Sequence, residues 1–229
     1  MEVLPSHIQL NVNQRIFLKN PESSDLGKKI ISGSIDMIDE MGFESFTFRK
    51  LGQHIQSTEA SIYRYFENKH RLLLYLINWY WNWIDFRLIY LIANIEDPTE
   101  KLRRAITLLT QSNEVDNNFQ HVNEIKLHRI VIAESSKTYL TKEVEEENKE
   151  GLFKSFKQLV ERVSGFISDV NPEFKYPHML VSTVIEGAHH QRFFAAHLPM
   201  LTDQLHGEDS INNFYQDLVF KALKSKDDE

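Results

Sequence analysis

The sequence contains no cysteine, and only eight glycines and six prolines among its 229 residues. Without cysteine the chain cannot have a disulfide framework, and its N-terminus lacks the basic flank and apolar run of a secretory signal, so we expect a cytoplasmic protein. The few glycines and prolines, together with apolar residues that recur every three or four positions, predict an all-α fold. With 41% hydrophobic residues, the chain can bury a core as one large domain or as a small domain joined to a larger one.

Long uncharged apolar runs are also missing. The segment 72–95 comes closest to a membrane span in length, but Asn78, Asn82, Asp85 and Arg87 lie within it. A charge at the centre of a bilayer costs about 2.5–3.5 kcal/mol on insertion scales. We therefore expect a helix that other helices bury on several sides, and no membrane partner.

Residues 1–23 have the weakest helical pattern. Apolar and polar residues alternate from Ile8, and Asn13-Gln14 is a turn signal. The sequence predicts an extended N-terminal arm, which is either free, paired as two short strands or packed on the surface as a tail.

Three segments between residues 24 and 68 each begin with a residue that can cap a helix. The first ends at Gly42, which fits the position after a helix, and the other two are too short to be stable alone. We therefore expect residues 24–68 to form a compact three-helix unit of the helix-turn-helix kind. The capping residues of this unit and of the long helix after it are Ser23, Ser24 or Asp25, then Thr47, then Ser57 or Thr58, then Asn68.

Positive charge is concentrated in the stretch between Thr47 and Arg71. This stretch has a balance of +3 in a chain whose net charge is −7, so the remainder sums to −10. A positive surface confined to one region lets an acidic protein bind DNA, while the acidic remainder limits non-specific binding. On the second short helix, Ile62 and Phe66 form the core side. The residues that we expect on its outer face, as a helix that reads a DNA groove requires, are Thr58, Glu59, Ser61, Arg64 and Tyr65.

The segment from Phe46 to Leu73 resembles the DNA-binding region of TetR-type transcriptional regulators. The pattern of that family contains a capping threonine, a core of the form LY-x-(H/Y)-F, and a lysine followed by leucine. The matching residues are Thr47, Ile62-Tyr63, Tyr65-Phe66, Lys69 and Leu72-Leu73. The resemblance in sequence covers residues 25–75, beyond which only length and helicity agree.

The turn between the two short helices departs from the family pattern. Gln56 stands where the family has glycine, so it either adopts a positive φ or the turn has a different form. Ala60 stands at the next small-residue position and is compatible with a close approach to the DNA backbone.

The resemblance implies which residues contact DNA. Four residues match family positions that contact the sugar-phosphate backbone, namely Thr47, Tyr63, Tyr65 and Lys69. Residues that lead into the major groove are Thr58, Glu59, Ala60 and Ser61, and the nearby cations are Arg49, Lys50 and Arg64. From the residues alone, the alternative is a solvated basic face with two core tyrosines.

Residues 69–229 are expected to form a larger helical domain for ligand binding and dimerisation. "DPTE" supplies an N-cap at Asp97, followed by proline and, at the third helical position, Glu100. The predicted helices after the long one are 97–113, 117–135, 138–170, 176–197 and 210–225.

The last two predicted helices have the pattern of a dimer interface. Small residues that permit close helix approach lie on the first, and an apolar stripe lies on the second. The interface residues that we expect are Gly187, Ala188, Ala195, Phe214, Leu218 and Ala222. Packing within one chain is the alternative, whereas the family resemblance implies a homodimer.

Aromatic residues along the long helix predict a pocket for a small apolar or aromatic effector. The expected lining consists of Trp79, Asn82, Trp83, Phe86 and Tyr90, with His121 and His128 from elsewhere. Core packing explains the same aromatic stripe.

An enzyme or metal protein is the competing class. Glu186 and His189 form one E-x-x-H unit, but a dinuclear carboxylate site needs two such units, and the second copy at Glu67 and His70 lies in the DNA-binding segment. No catalytic motif occurs, and we expect no metal and no cofactor.

The sequence thus predicts a homodimeric TetR-type regulator, a repressor that binds a pseudo-palindromic double-stranded DNA operator and is released by a small ligand. A helical-bundle metal protein or enzyme and a ligandless regulator with a filled core are the alternatives.

Overall fold

The structure is a computed structural model that describes residues 10–111, 119–205 and 207–224. In these residues it contains eleven α-helices and three 3-10 turns and no strand, which confirms the all-α prediction. None of the helices in the described part of the chain is long and apolar enough to cross a membrane. The helices are α1 (Asp25–Ser45), α2 (Phe48–His54), α3 (Glu59–Tyr63), α4 (Lys69–Leu91), α5 (Pro98–Thr110), α6 (Glu124–Glu134), α7 (Ser136–Tyr139), α8 (Val144–Lys149), α9 (Lys154–Val170), α10 (Pro177–His197) and α11 (Ser210–Ala222).

The chain divides into two compact units. The first unit contains Met1–Trp83 and Asn113–Ser155, and the second contains Ile84–Ser112 and Phe156–Glu229. Helices α1 to α3, most of α4 and α6 to α8 therefore belong to the first unit, and α5, α10 and α11 to the second. The predicted division into an arm of residues 1–23 and domains 24–68 and 69–229 stays a prediction.

The predicted helix starts are confirmed by side chains that accept hydrogen bonds from backbone N–H groups. Ser24 accepts from the N–H of Gly27, Thr47 from that of Lys50, and Thr58 from that of Ser61. Each of these bonds satisfies one donor that has no partner within its own helix. Asn68 caps α4 and Asp97 caps α5 in the same way.

The single helix predicted for residues 138–170 is wrong. The structure has three separate helices there, because the chain turns after Tyr139 and again after Lys149. At the second turn Gly151 has a φ of 77°, which a continuous α-helix cannot contain. The helix predicted to start at residue 117 is wrong in its start, because residues 119–123 are not helical and α6 begins at Glu124 after the cap Asn123. Residue 117 itself, the predicted end of α5 at residue 113 and the predicted end of the last helix at residue 225 lie outside the described residues.

The described part of the N-terminal arm is not a strand pair. It forms two 3-10 turns, Gln14–Ile16 and Pro21–Ser23, the first of which is capped by Asn13. Ile16 is almost fully buried, so the arm packs into the first unit. Burial of the Ile16 side chain stabilises the packed arm by about 1.5–3 kcal/mol, although the alternating pattern of the sequence suggested strands.

Candidate nucleic-acid interface

Helix α3 presents its polar residues on one side and its apolar residue on the other. Ile62 is fully buried, whereas Thr58, Ala60, Tyr63 and Arg64 are exposed. The predicted outer residues Glu59 and Ser61 are partly exposed, and the Ser61 hydroxyl lies 2.8 Å from that of Thr58. The exposed side offers hydroxyls, a cation and an aromatic ring to a ligand.

The position of α3 is fixed by the turn before it and by a ring contact with α2. Gln56 has a φ of 54°, so it adopts the left-handed conformation for which the family pattern uses glycine. The rings of Phe48 and Tyr63 pack edge to face, with centroids 5.0 Å apart. Gln56 therefore adopts the positive φ that glycine permits at this position of the family pattern.

The prediction that Tyr65 lies on the outer face is wrong. Its side chain is only 3% exposed, because the end of α3 tightens and Tyr65 turns towards the arm and the start of α1. The hydroxyls of Tyr65 and Ser24 lie 2.7 Å apart, and the Lys19 ammonium lies 5.0 Å from the Tyr65 ring centroid. The hydrogen bond with Ser24, and after it the positive charges of Lys19 and Arg64, lower the pKa of Tyr65. A backbone contact from Tyr65 to DNA stays a prediction.

Lys69 binds the end of α1 in this structure. Its ammonium donates to the carbonyl oxygens of Phe43, Glu44 and Phe46, at 3.0, 3.3 and 3.4 Å. These carbonyls follow the break of α1 at Gly42, where φ is 76°. A cation at the carboxyl end of a helix stabilises carbonyls that have no helical partner. A phosphate contact from Lys69, which stays a prediction, would compete with this arrangement.

The other cations near the helix-turn-helix differ in their surroundings. Arg49 and Lys50 are exposed on α2, and the Lys50 ammonium donates to the Ser45 carbonyl at 2.7 Å. Arg71, which the charge balance included, lies 3.5 Å from a carboxylate oxygen of Glu150. The surface of available positive charge is therefore smaller than the charge balance of +3 for residues 47–71 suggests.

The family model described as "Bacterial regulatory proteins, tetR family" matches residues 30–76. The N-terminal region is a TetR-type DNA-binding domain. A search among curated proteins finds no match to the sequence.

Solved structures share the fold of most of the chain. AibR in complex with isovaleryl coenzyme A and operator DNA is 16% identical, with a TM-score of 0.54, and the match covers 84% of this chain and 95% of that one. The ketosteroid transcriptional regulator KstR2 of Mycobacterium tuberculosis is 13% identical, with a TM-score of 0.53 and coverages of 95% and 97%. The superantigen PfiT is 14% identical, with a TM-score of 0.57 and coverages of 91% and 100%. At these identities the likeness shows a shared fold.

The aromatic residues of the predicted effector pocket lie in both units of the chain. In the first unit Trp79 and Trp83 are buried and stack with centroids 6.3 Å apart, and Trp79 packs edge to face on Phe119. In the second unit Phe86 and Tyr90 pack together, and Tyr90 is exposed. The tryptophans form core packing, and a pocket lined by them stays a prediction.

The polar residues of the predicted pocket bond to groups of the first unit. The Tyr80 hydroxyl lies 2.6 Å from Nδ1 of His128, and the His121 ring lies 3.0 Å from the Glu22 carboxylate. The Asn82 amide donates to backbone carbonyls, including that of Asn78 at 2.9 Å. Sequence patterns did not indicate any of these partners, which lie on other turns or far along the chain.

The second unit contains a groove of about 1080 Å³ that the sequence did not predict. Arg103 of α5, Leu205 of the loop after α10, and Phe214 and Leu218 of α11 contribute to its lining. The groove shares no residue with the predicted effector pocket. An apolar loop between two helices was the available signal, because Leu201 and Leu205 are both exposed there.

The residues of the predicted dimer interface fall into two groups. Gly187 faces α11 of the same chain, where a Cβ atom would overlap with the Tyr215 hydroxyl, and Ala188 is buried. Close packing within one chain accounts for these two. Phe214 is 57% exposed and Leu218 37%, Ala222 is exposed, and Ala195 is partly exposed. These four remain open to a second chain.

The acidic and histidine side chains do not suggest a metal centre in the part of the chain that the structure describes. There, no group of three or more such side chains is close enough together to hold a metal ion. His189, of the E-x-x-H unit, is buried in α10.

Proposed function

We propose that this protein is a homodimeric transcriptional regulator that binds a pseudo-palindromic operator through the exposed side of α3. The observation that carries the proposal is the arrangement of Thr58, Ala60, Tyr63 and Arg64 on the open side of a TetR-type DNA-binding domain. A helix with a polar outer side is suited to the major groove, where hydroxyls and cations contact base edges and phosphates. The fold alone does not carry it, since the superantigen PfiT shares that fold.

Release by a small effector is the regulatory part of the proposal. AibR has been solved with isovaleryl coenzyme A and operator DNA, which supports a ligand-responsive regulator with this fold. In this chain α4 begins at Lys69, beside the helix-turn-helix, and at 1.5 Å per residue Trp79 lies roughly 15 Å further along it. One helix therefore touches the carbonyls that end α1 and also the aromatic core. An effector that moves α4 changes the position of α3 through these contacts.

A ligandless regulator is the second candidate, and the tight core favours it. Trp79 and Trp83 are buried and stacked, so the first unit already fills the space where aromatic walls suggested a ligand. Both candidates bind DNA and differ only in their response to small molecules.

Selection of DNA fragments by the purified protein tests the DNA-binding proposal. We expect enrichment of two half-sites related by two-fold symmetry, because a dimer presents two α3 helices. An Arg64→Ala variant should bind the selected site more weakly, whereas Lys175→Ala, which removes an exposed cation from the second unit, should bind like the unmodified protein. Failure to enrich any sequence at low salt would overturn the proposal.

A further inference from the structure

The end of the N-terminal arm is attached to the end of α3 by three contacts with one residue. The backbone N–H of Leu18 donates to the Tyr65 carbonyl at 2.8 Å. The Lys19 ammonium lies over the Tyr65 ring, 5.0 Å from its centroid, and Ser24 shares a 2.7 Å hydrogen bond with the Tyr65 hydroxyl. These contacts involve backbone, ring and hydroxyl, so they fix the position of Lys19 relative to α3.

The arm between residues 10 and 18 is also held in place. The Asn13 amide donates to the carbonyls of Glu150 and Gly151, at 3.1 and 3.0 Å. Ile16 is 1% exposed, and the Phe17 ring packs edge to face on Tyr75 of α4, with centroids 6.0 Å apart. Lys19 therefore extends from an ordered segment, so binding of a ligand by its ammonium does not also have to order the backbone that carries it.

Lys19 and Arg64 place two positive charges near the C-terminal end of α3. Both side chains are exposed, and both lie next to Tyr65, since Arg64 precedes it in the chain and the Lys19 ammonium lies 5.0 Å from its ring centroid. In residues 10–111, 119–205 and 207–224, neither forms an ion pair with an aspartate or glutamate. By contrast, Arg71 faces glutamates and Lys69 faces carbonyls. Two exposed cations without acidic partners are suited to the phosphates of a nucleic acid.

We propose that Lys19 binds a phosphate of duplex DNA next to the segment that α3 reads, so that the N-terminal arm forms part of the DNA-binding surface. The proposal rests on the DNA-binding function proposed above. Tyr65 then acts as a positioning residue, because its ring, hydroxyl and carbonyl hold the arm that supplies the cation. A phosphate contact carries no sequence information, so Lys19 contributes affinity and leaves the choice of bases to α3.

The test is the salt dependence of binding to the selected operator and to a duplex of random sequence. Each neutralised phosphate contributes about 0.9 to the slope of log affinity against log salt, so Lys19→Gln should lower the slope by about that amount on both duplexes. At roughly 0.1 M salt we expect its affinity to fall about three- to tenfold on both. Lys175→Gln, which removes an equally exposed cation of the second unit, should leave the slope unchanged.

Two further variants separate the phosphate contact from an effect on folding. Lys19→Arg keeps the positive charge and should restore the slope, whereas Tyr65→Phe keeps the ring and loses the bond to Ser24, and should lower affinity without a change in base preference. A Lys19→Gln slope equal to that of Lys175→Gln, or a Lys19→Arg slope as low as that of Lys19→Gln, would overturn the inference and leave the proposed function standing. Absence of DNA binding by the unmodified protein would overturn both.

Discussion

Lys69 occupies the first position of α4, and its ammonium is bonded to three carbonyls at the end of α1. Those carbonyls belong to Phe43, Glu44 and Phe46, which lead into α2. The Lys69 side chain therefore links the end of α1 to the start of α4. A loss of DNA binding after its removal would have two causes, one structural and one electrostatic, that must be measured separately.

We predict that Lys69→Met lowers the free energy of unfolding in the absence of DNA by about 1–3 kcal/mol. The reason is that carbonyls in a partly buried place lose a charged hydrogen-bond donor. Denaturant unfolding followed by circular dichroism measures the change. Lys50→Met is the matched control, because the Lys50 ammonium is exposed and bonds only the Ser45 carbonyl among the described groups, so its effect should stay within about 0.5 kcal/mol. Equal stability of the two variants would contradict the structural role of Lys69.

Helix α11 carries two apolar stripes at the scale of the element. One stripe is buried within the second unit and consists of Ile211, Tyr215, Val219 and Leu223. The other consists of Phe214, Leu218 and Ala222, at intervals of four residues, and is exposed in the single chain. A helix with an apolar stripe on each side is typical of one that packs against two neighbours. The first neighbour is present in the same chain, and a second chain is the partner that we propose for the other stripe.

We predict that Leu218→Glu shifts the protein from dimer to monomer. A charge buried between two apolar helices without a partner costs several kcal/mol per subunit, so dissociation should become measurable at micromolar protein. Sedimentation velocity measures the change. Leu140→Glu introduces the same charge at an exposed leucine of the first unit and should leave the dimer intact. If the unmodified protein sediments as a monomer of 27.0 kDa, the interface proposal fails.

At the scale of the whole molecule, a net charge of −7 coexists with a TetR-type DNA-binding domain. The cations that remain available there are few and local, since Arg71 and Lys69 have partners of their own. The DNA binding that we propose would use a small positive surface, so a modest change in the position of that surface should alter the affinity for DNA strongly. This sensitivity suits a regulator whose DNA binding is switched by an effector.

We predict that an apolar effector changes tryptophan fluorescence and DNA affinity together. All three tryptophans, Trp79, Trp81 and Trp83, lie in α4 of the first unit and are buried, so a ligand that enters this core must alter their surroundings. Coupling of about 1–3 kcal/mol would weaken operator binding about 5- to 150-fold. Titration of a library of hydrophobic compounds measures both signals. Trp79→Phe tests whether the change in fluorescence comes from direct contact between the compound and Trp79. Compounds that change the emission of the protein without weakening DNA binding would favour the ligandless regulator.

The sequence by itself determined where most helices begin and which fold class they build. Capping is local, because each capping side chain bonds a backbone N–H three residues ahead. The capping residue and the helix start that it stabilises therefore lie in one short stretch of sequence, as they do for Ser24, Thr47, Thr58 and Asn68. The helix-turn-helix pattern is also local, and even Gln56, which departs from it, follows the turn that its neighbours require.

Only the tertiary structure decided what several of these side chains contact. Tyr65 meets Ser24, 41 residues away, and Lys69 meets Phe43, 26 residues away. The space beside Gly187 is filled by the Tyr215 side chain of the same chain, so a small residue that suggested a dimer interface allows close packing within one chain. A periodic pattern shows that a helix has an apolar side, but it does not show which partner covers that side, because the partner is brought there by chain that lies far away in the sequence.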